Sequence, residues 1–347
     1  MEKQHHIITR NDVARAAQVS AATVSYVVNN GPRPVSPETR QKVLKVIERL
    51  GYKPNRIARN LRLQRSATIG LIIPDTHNPY FAEVARGVEQ MASANGFTVI
   101  LCHSDYNLEG ELHYVDVLQK ERAAGVIWFP ATNSTEPAVQ LDAYGMALVV
   151  LDRVVPGLQS PSVFADNFRG GYLATKHLID LGHRVIGCIT RPEELYHSSE
   201  RVRGYQNALM DHNLDPVESL IISGGFRLED GRVAAQQIIQ HPLQPTAIFA
   251  YNDMMAIGAL RAAYEMKRKV PQDLSVVGFD DIPQAAFTCP ALTTISQPKV
   301  EMGRQGVVLL LDSLQGSPAG GQIKPPLPVR LILRESTGVP AKLRTPA

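Results

Sequence analysis

The chain has 347 residues, of which 44% are hydrophobic and 20% charged, so it is long enough for two or three domains with a sizeable core. No apolar run approaches the roughly 18 residues that cross a membrane, and no signal peptide is recognisable, which favours a cytoplasmic protein without membrane contact. The net charge is only +3, but residues 1–66 hold 13 Lys/Arg and 4 Asp/Glu while the remainder holds 23 and 29, which predicts a polyanionic partner for the N-terminal segment alone.

The segment 8–29 predicts two short helices joined by a tight turn. Thr9 with Asp12 is a capping-box pattern, and Ser20 offers a second N-cap. The second helix has an apolar side made of Val24, Val27 and Val28, and an outward side made of Ala21, Ala22, Ser25, Tyr26 and Asn29. This pattern is typical of a helix-turn-helix, whose second helix can enter a major groove, and equally of a two-helix corner in any globular domain.

A third helix is predicted after a loop rich in Gly and Pro. Ser36 supplies its N-cap, Pro37 its first helical position, and Gly51 its end. Its apolar stripe consists of Val43, Leu44, Ile47 and Leu50. Three short helices around a small core would form a compact DNA-binding unit.

Residues 54–63 can also form a helix, but they contain three arginines and few apolar residues, so the helix would not stay folded in isolation. Such a segment is expected to order only against DNA and a symmetry mate. We therefore predict a hinge helix at about 55–63 that completes an N-terminal domain of residues 1–66.

In combination, these motifs resemble the lactose-repressor (LacI/GalR) family of bacterial transcription regulators. The resemblance rests on the stretches DVARAAQVSAATVSYVVNN, VSPETRQKVLKVIERLGYKPNRIARNL and IGLIIPD followed by NPYF, and it extends over essentially the whole chain. It implies operator binding by the N-terminal domain and control by a small molecule bound in a periplasmic-binding-protein-like body. The implied partners are double-stranded DNA with a palindromic operator, an effector that is a sugar, and a second copy of this chain in a homodimer.

The resemblance also implies a set of DNA contacts. Phosphate or groove-edge contacts fall on Thr9, Ser20, Thr23, Ser25, Ser36 and Thr39, base-edge contacts on Ala21, Ala22 and Tyr26, backbone contacts on Asn29, Tyr52 and Asn55, a minor-groove contact on Ala58, and an apolar wedge in a central base step on Leu61. Many relatives carry an arginine where this chain has Tyr26. Tyrosine offers one hydroxyl and a ring for a thymine methyl, which predicts a different half-site, unless the ring packs on the third helix instead.

From residue 67 onward, apolar runs alternate with amphipathic helical stretches. The runs TIGLII, FTVILC, GVIWF and ALVVL do not alternate polar and apolar residues, which predicts parallel strands covered on both faces, and RVIGCI, SLIIS, TAIFA and LSVVGF repeat the pattern. Helices are predicted at 79–94, 108–123, 168–181, 200–212, 229–241, 253–267 and 299–314, with a last strand at 328–334. We predict an α/β body, residues 67–347, of two doubly wound parallel-sheet lobes, the first about 67–165 and 296–327, the second about 166–295 and 328–342.

Polar residues follow several of these strands, where ligands bind in doubly wound sheets. Asp75, Asn78, Asp152, Arg153, Asn252, Asp280 and Asp281 are the residue types that bind a polyol, because carboxylates and guanidinium groups accept from and donate to vicinal hydroxyls. Strand-end Asp and Asn are also common helix caps, and Asn252 and Asp280 both precede predicted helices.

The resemblance adds residues to this set and orders them. It implies an effector site close to the ribose-type pattern at Asp75, Asn78, Tyr80, Phe81, Asp152, Arg153, Arg201, Phe226, Asn252, Asp280 and Gln297. The first expectation is therefore ribose or a related monosaccharide, with purine effectors less favoured.

The alternatives to this function are a sugar transport receptor, an enzyme and a global regulator. A sugar transport receptor would consist of the body alone and would carry a signal peptide. The basic N-terminal segment and the missing signal peptide both argue against this function. An enzyme is disfavoured because no activated nucleophile, phosphate loop or Cys/His metal spacing occurs, so no cofactor is expected. A global regulator that responds to a phosphoprotein stays open within the favoured class. No leucine heptad follows residue 337, which predicts a dimer rather than a tetramer.

Overall fold

The computed structural model describes residues 8–29, 34–50, 67–153, 155–191, 200–315 and 325–341. The chain divides into two compact units, Met1–Ser66 and Ala67–Ala347, which we call the head and the body. Each unit has its own hydrophobic core.

The described part of the head consists of three short helices, α1 (Arg10–Ala17), α2 (Ala21–Asn29) and α3 (Pro37–Leu50). α1 begins with the predicted capping box, in which Thr9 and Asp12 each bind the other's backbone amide. The Oγ atoms of Ser20 and Ser36 accept from the amides of Thr23 and Thr39, so all three predicted caps are confirmed. The predicted hinge helix at about 55–63 lies outside the described residues.

The core of the head differs from the prediction at two positions. Val43 and Val46 are the buried residues of α3, whereas Leu44 is 47% exposed, so the prediction of Leu44 in the apolar stripe is wrong. The reason is geometric, because residues 43, 46 and 50 lie on one helical face and residue 44 is turned about 100° away from it. Ala21 was predicted to face outward, but it is half-buried and packs against the core between α1, α2 and α3.

The first lobe of the body contains a sheet of five parallel strands in the order β2-β1-β3-β4-β5. Their bounds are β1 Thr68–Ile73, β2 Thr98–His103, β3 Gly125–Trp128, β4 Ala147–Leu151 and β5 Ser162–Val163. The helices between them are α4 (Pro79–Ala94), α5 (Leu108–Lys120) and α6 (Glu136–Ala143), and α11 (Lys299–Leu314) returns to pack on α4 and β4.

The second lobe contains six strands in the order β11-β10-β9-β8-β6-β7, all parallel except the pair β10 and β11. Their bounds are β6 Ile186–Thr190, β7 Ile221–Ser223, β8 Ala247–Ala250, β9 Ser275–Asp280, β10 Thr293–Ser296 and β11 Arg330–Ile332. The helices are α7 (Asn167–Asp180), α8 (Glu200–Asp211), α9 (Leu228–Gln240) and α10 (Asp253–Glu265), with 3₁₀ turns at Glu218–Leu220 and Pro283–Ala286.

The predicted class, a helical head and a body of two doubly wound parallel sheets, is confirmed. The helices at 79–94 and 299–314 have the predicted bounds, and the other predicted body helices differ by one to three residues, whereas α6 was not predicted. One expectation is wrong, since β2 is not covered on both faces. β2 is an edge strand, and its Leu101 is 47% exposed, because no strand pairs with its outer side among the described residues.

Within the described residues, no helix combines the length and the apolar character needed to cross a membrane.

Candidate functional site

The polar residues predicted to contact DNA lie at the beginnings of the three head helices. Ser20 and Thr23 share a hydroxyl hydrogen bond of 2.8 Å, and Ser36 donates to Thr39 over 2.9 Å. Thr9, Ser20 and Ser36 are exposed, as phosphate contacts must be. Helix N-termini also carry a partial positive charge that favours phosphate.

The base-edge candidates differ in exposure. Ala22 is exposed, whereas Ala21 and Tyr26 are half-buried, and Tyr26 is not among the side chains packed on the core of the head. Ser25, a predicted phosphate or groove-edge contact, is also half-buried. The backbone of Asn29 lies in the last turn of α2. The remaining predicted contacts, Tyr52, Asn55, Ala58 and Leu61, lie outside the described residues.

The body contains a pocket where the carboxyl ends of the two parallel sheets face each other. Nine of the eleven predicted effector residues line it, namely Asn78, Tyr80, Phe81, Asp152, Arg153, Arg201, Phe226, Asn252 and Asp280. Parallel strands of one lobe end at one edge of the sheet, so residues distant in sequence come together there.

Two aromatic rings, two hydrogen-bond acceptors and a carboxylate surround the guanidinium group of Arg201. Its guanidinium carbon lies 3.7 Å from the ring centroid of Phe279 and 4.4 Å from that of Tyr251. Its Nε donates to Asn167 over 2.7 Å, and Nη1 donates to the carbonyl of Tyr251 over 2.6 Å. Nη1 also lies 3.6 Å from Asp280 Oδ1. A guanidinium fixed by these contacts is pre-oriented to donate to a ligand.

The position of α8, which carries Arg201, depends on a close helix contact. A Cβ on Gly171 of α7 would collide with the carbonyl oxygen of Arg201. Gly171 is therefore a helix-packing glycine near the start of α7, whereas a Cβ on the neighbouring Gly170 would collide with the ring of Phe279 in β9.

Two carboxylates, those of Asp152 and Asp280, share the pocket with Arg201. Burial raises the pKa of Asp280 to about 7, although Arg201 and Lys299 act in the opposite direction. Asp152 Oδ1 accepts from the Tyr80 hydroxyl over 2.8 Å. Burial, together with the charge of Asp152, raises the pKa of that hydroxyl well above its usual range, so Tyr80 stays protonated and donates.

Both carboxylates sit on unusual backbone. The φ angle is +76° at Asp152 and +118° at Asp280, a region that residues with a Cβ rarely adopt. Asp152 directly follows β4 and Asp280 ends β9, so the backbone turns sharply where the side chains enter the pocket. Such strain, on the order of 1–3 kcal/mol each, is concentrated at ligand sites in proteins.

The two pocket asparagines act as helix caps as well. Asn78 Oδ1 accepts from the Tyr80 amide over 3.0 Å at the start of α4, and Asn252 Oδ1 accepts from the Met255 amide over 2.8 Å at the start of α10. The helix-cap interpretation is therefore confirmed for both residues, which also line the pocket, while their binding to an effector stays a prediction. Asp280 is different, because the short turn that follows it is preceded by Ile282 and receives no side-chain cap.

Two predicted residues do not line the pocket. Asp75 is 2% exposed and accepts from the backbone amide and ring of His77, so its carboxylate orders the loop after β1. Gln297 donates to Asp280 Oδ1 over 2.7 Å and is not among the residues that line the pocket. Asp281 also points away, since its Oδ1 binds Arg334.

Sequence reasoning missed Tyr106, Phe129, Arg191 and Tyr251, which line the pocket. Each of them lies one to three residues after a strand, and that position alone was a usable signal. The missed residue Asn167 holds Arg201 from the start of α7.

Tyr106 joins the two lobes across the mouth of the pocket. Its ring stacks on Phe226 with centroids 4.2 Å apart and an interplanar angle of 2°. Beside this stack, Arg227 of the second lobe binds Asp105 of the first over 2.7 Å. We call these four residues the cross-lobe clasp.

No group of three or more His, Cys, Asp or Glu side chains suited to a metal ion occurs in the described part of the chain. The lining of the pocket combines carboxylates, guanidinium groups and aromatic rings.

The chain is similar to known protein families and to individual known proteins. Residues 9–55 match the family model "Bacterial regulatory proteins, lacI family", and residues 175–337 match "Periplasmic binding protein-like domain". The chain is 39% identical to the HTH-type transcriptional repressor PurR of Edwardsiella ictaluri, covering 88% of this chain and 90% of that protein. It is 36% identical to the ribose operon repressor of Haemophilus influenzae, covering 88% and 92%.

The fold is similar to that of the Lac repressor dimer bound to operator and the anti-inducer ONPF, with a TM-score of 0.83 and 29% identity, covering 96% of this chain and all of that one.

Proposed function

Because the chain belongs to the LacI family of bacterial regulatory proteins, and is therefore a dimeric DNA-binding repressor controlled by a small-molecule effector, we propose that this effector is a monosaccharide of the ribose type bound between the two lobes. Such a repressor works in the cytoplasm, where the bacterial chromosome lies. The domain division at residue 66 and the two-lobe bounds belong to the same proposal.

The observation that carries the proposal is the fixed arrangement of hydroxyl-binding groups around one pocket. Arg201, Asp152 and Asp280 approach it from both lobes, with Tyr80 and Phe226 supplying ring faces. Carboxylates that accept and guanidinium groups that donate are complementary to vicinal hydroxyls, and aromatic rings stack on the apolar face of a sugar. The ribose operon repressor among the relatives supports the choice of ribose as the first sugar to test.

The head supplies the DNA-binding surface. We propose that Ala21, Ala22 and Tyr26 of α2 face base edges and that Thr9, Ser20, Thr23, Ser25, Ser36 and Thr39 contact phosphates or the groove edge. In a dimer, two such helices would enter successive major grooves roughly 34 Å apart on a palindromic operator. The basic charge of the head adds affinity that does not depend on sequence and falls with salt.

Effector control follows from linkage. A sugar that binds one arrangement of the two lobes better than the other shifts the repressor between its states, and the shift cannot exceed the difference in affinity. The lobes already touch through the cross-lobe clasp, so closure around a ligand would change contacts that lie next to the pocket.

The test is to select binders from a random duplex pool with the purified protein, with and without ribose. A palindrome with a central pyrimidine–purine step, enriched under only one condition, is expected. Equal enrichment under both conditions would retain DNA binding and reject ribose. Absence of any enriched motif would reject the DNA-reading surface proposed for α2.

A further inference from the structure

Glu111 is a buried carboxylate that lies behind one wall of the effector pocket and does not line the pocket itself. It belongs to the first turn of α5, and 0% of its surface is exposed. Burying a carboxyl group is costly unless hydrogen bonds or charges compensate it. The hydrogen bonds of Glu111 therefore indicate which part of the molecule it stabilises.

One oxygen of Glu111 accepts two hydrogen bonds from the segment that forms this wall. Its Oε1 accepts from the indole Nε1 of Trp128 and from the backbone amide of Ala131, each over 2.7 Å. Trp128 is the last residue of β3, and the three residues that follow it, Phe129, Pro130 and Ala131, line the pocket. Glu111 thus connects α5 to both ends of the segment 128–131.

The continuation of the same loop holds Arg153, a predicted effector residue. Its Nη2 donates to the carbonyl of Thr132, and its Nη1 donates to Asn133 over 3.3 Å. The amide that Glu111 binds and the acceptors that orient Arg153 therefore belong to three consecutive residues. Burial raises the pKa of Glu111, while the hydrogen bonds from Ala131 and Trp128 and the charge of Arg153 act in the opposite direction.

We propose that Glu111 is a positioning residue of the effector pocket, which fixes the wall at 129–131 and, through Thr132 and Asn133, the direction of the Arg153 guanidinium group. This inference rests on the proposed function, because it concerns the pocket that would bind the sugar. An apolar residue of similar size would fill the same space. It would, however, leave a buried indole and a buried amide without an acceptor, and the wall would move to satisfy them.

The test compares two replacements of Glu111 that differ in hydrogen bonding. Glu111→Gln keeps an oxygen that can accept both hydrogen bonds, whereas Glu111→Leu fills the site without an acceptor. Glu109→Leu is the matched control, because Glu109 lies in the same turn of α5 and is exposed. Ribose affinity, measured by calorimetry, should fall about tenfold or more in Glu111→Leu and stay within about threefold in the other two variants.

Trp128 is the only tryptophan of the chain, so it supplies a readout that needs no sugar. A hydrogen bond to an oxygen moves an indole N–H proton resonance downfield. The single indole resonance should therefore move upfield in Glu111→Leu and stay downfield in Glu111→Gln and in Glu109→Leu.

Hydrogen exchange provides a second readout without sugar. Amide exchange in the segment 129–133, followed by mass spectrometry, should become about tenfold faster or more in Glu111→Leu alone. Strand β8 serves as the internal reference, and its exchange should not change. If Glu111→Leu does not fold, Glu111→Leu combined with Trp128→Phe takes its place in both the affinity and the exchange measurements, because the phenylalanine ring needs no acceptor.

The outcomes separate this inference from the proposed function. Unchanged ribose affinity in Glu111→Leu, or equal losses in Glu111→Leu and Glu111→Gln, would overturn positioning by hydrogen bonds. A wild type that binds no ribose would reject the ribose-type effector, and the exchange measurement would then decide the role of Glu111. Faster exchange at 129–133 in Glu111→Leu alone would retain that role. Equal exchange in all variants, or faster exchange at β8 as well, would overturn it.

Discussion

Arg201 enters the pocket from the first turn of α8, between the rings of Phe279 and Tyr251. Its charge is retained despite burial, which lowers its pKa, because Tyr251 and Asp280 more than offset that effect and raise the pKa overall. A guanidinium in this setting is a rigid donor rather than a flexible one. We therefore expect effector binding to depend on Arg201 more than on any exposed cation.

We predict that Arg201→Ala lowers effector affinity by about 10–100-fold, since it removes hydrogen bonds from a charged donor. Operator affinity should stay within about threefold, because the head carries that surface. Gel-shift titrations with and without sugar measure both quantities, and Arg203→Ala on the exposed side of the same helix is the control. Equal losses in both titrations would contradict an effector site separate from the DNA-binding surface.

Asp280 predicts a pH dependence of stability. Its pKa is about 7 in the folded protein and about 3.9 in an unfolded chain, so between these values the folded protein binds a proton that the unfolded chain does not. The contribution of Asp280 to the free energy of unfolding therefore falls as the pH rises from about 4 to about 7, by at most about 4 kcal/mol.

Asp280→Asn removes this contribution. The difference in unfolding free energy between wild type and variant should fall as the pH rises from 5 to 7.5, and urea denaturation at the two pH values measures it. Other groups, such as the buried His183, titrate in both proteins and cancel in the difference. Parallel pH profiles would show that Asp280 is ionised throughout the range.

At the scale of elements, the loops after β2 and β7 meet to form the cross-lobe clasp. Asp105 and Tyr106 both have positive φ angles, of +50° and +57°, so the loop after β2 makes a tight turn to present them. The stack of Tyr106 on Phe226 is partly buried, while Asp105 and Arg227 are 60% and 58% exposed. The aromatic stack of the clasp should therefore contribute more free energy to the contact between the lobes than the ion pair does.

We predict that Tyr106→Ala weakens effector binding by roughly 2–12-fold or more, because an aromatic pair contributes about 0.5–1.5 kcal/mol and Tyr106 lines the pocket. Arg227→Ala should change it by less than about threefold, since an exposed ion pair is worth little and is screened by salt. Calorimetric titration of both variants with the sugar that the wild type binds most tightly measures the two losses of affinity. A larger loss in Arg227→Ala would assign the closing force to the ion pair.

The predicted hinge helix at about 55–63 gives a second test at this scale. By the family resemblance, Leu61 is the wedge that enters a central base step, so Leu61→Ala should weaken specific binding at least tenfold and non-specific binding little. Leu63→Ala, two residues further and on the opposite side of the predicted helix, is the matched control. An unchanged ratio of specific to non-specific affinity, measured by gel shift, would remove the wedge from the proposal.

At the scale of the whole molecule, dimerisation needs an apolar surface. The second lobe exposes Phe287 at 87% and Tyr264 at 75%, values that are unusual for aromatic side chains unless another surface covers them. We propose that Phe287 lies in the interface between the two copies. The exposed Val139 of α6, at 64%, offers a comparable position in the first lobe.

We predict that Phe287→Asp raises the dimer dissociation constant by about 30-fold or more, as for a central interface residue. Val139→Asp should leave it unchanged. Sedimentation velocity over a concentration series measures the constant for both variants. A dimer as tight as that of the wild type would place the interface elsewhere on the body.

Much of the architecture could be predicted because its signals are local. Caps such as Thr9, Ser20 and Asn78 satisfy amides within a few residues, and buried parallel strands are visible as uninterrupted apolar runs. These features depend on the immediate sequence, so the order of most helices and strands along the chain, and most of the strand-end residues that line the pocket, could be predicted from it.

What only the tertiary structure decided is which strand ends meet and how their charges combine. Nothing near Arg191 in the sequence indicates that it shares a pocket with Arg153, or that Tyr106 stacks on Phe226. The same applies to Leu44 and Leu101, whose exposure is set by neighbours that are far away in the chain or missing at a sheet edge. Local sequence determines the elements, whereas burial, pKa and the make-up of the pocket arise from contacts between segments that only folding brings together.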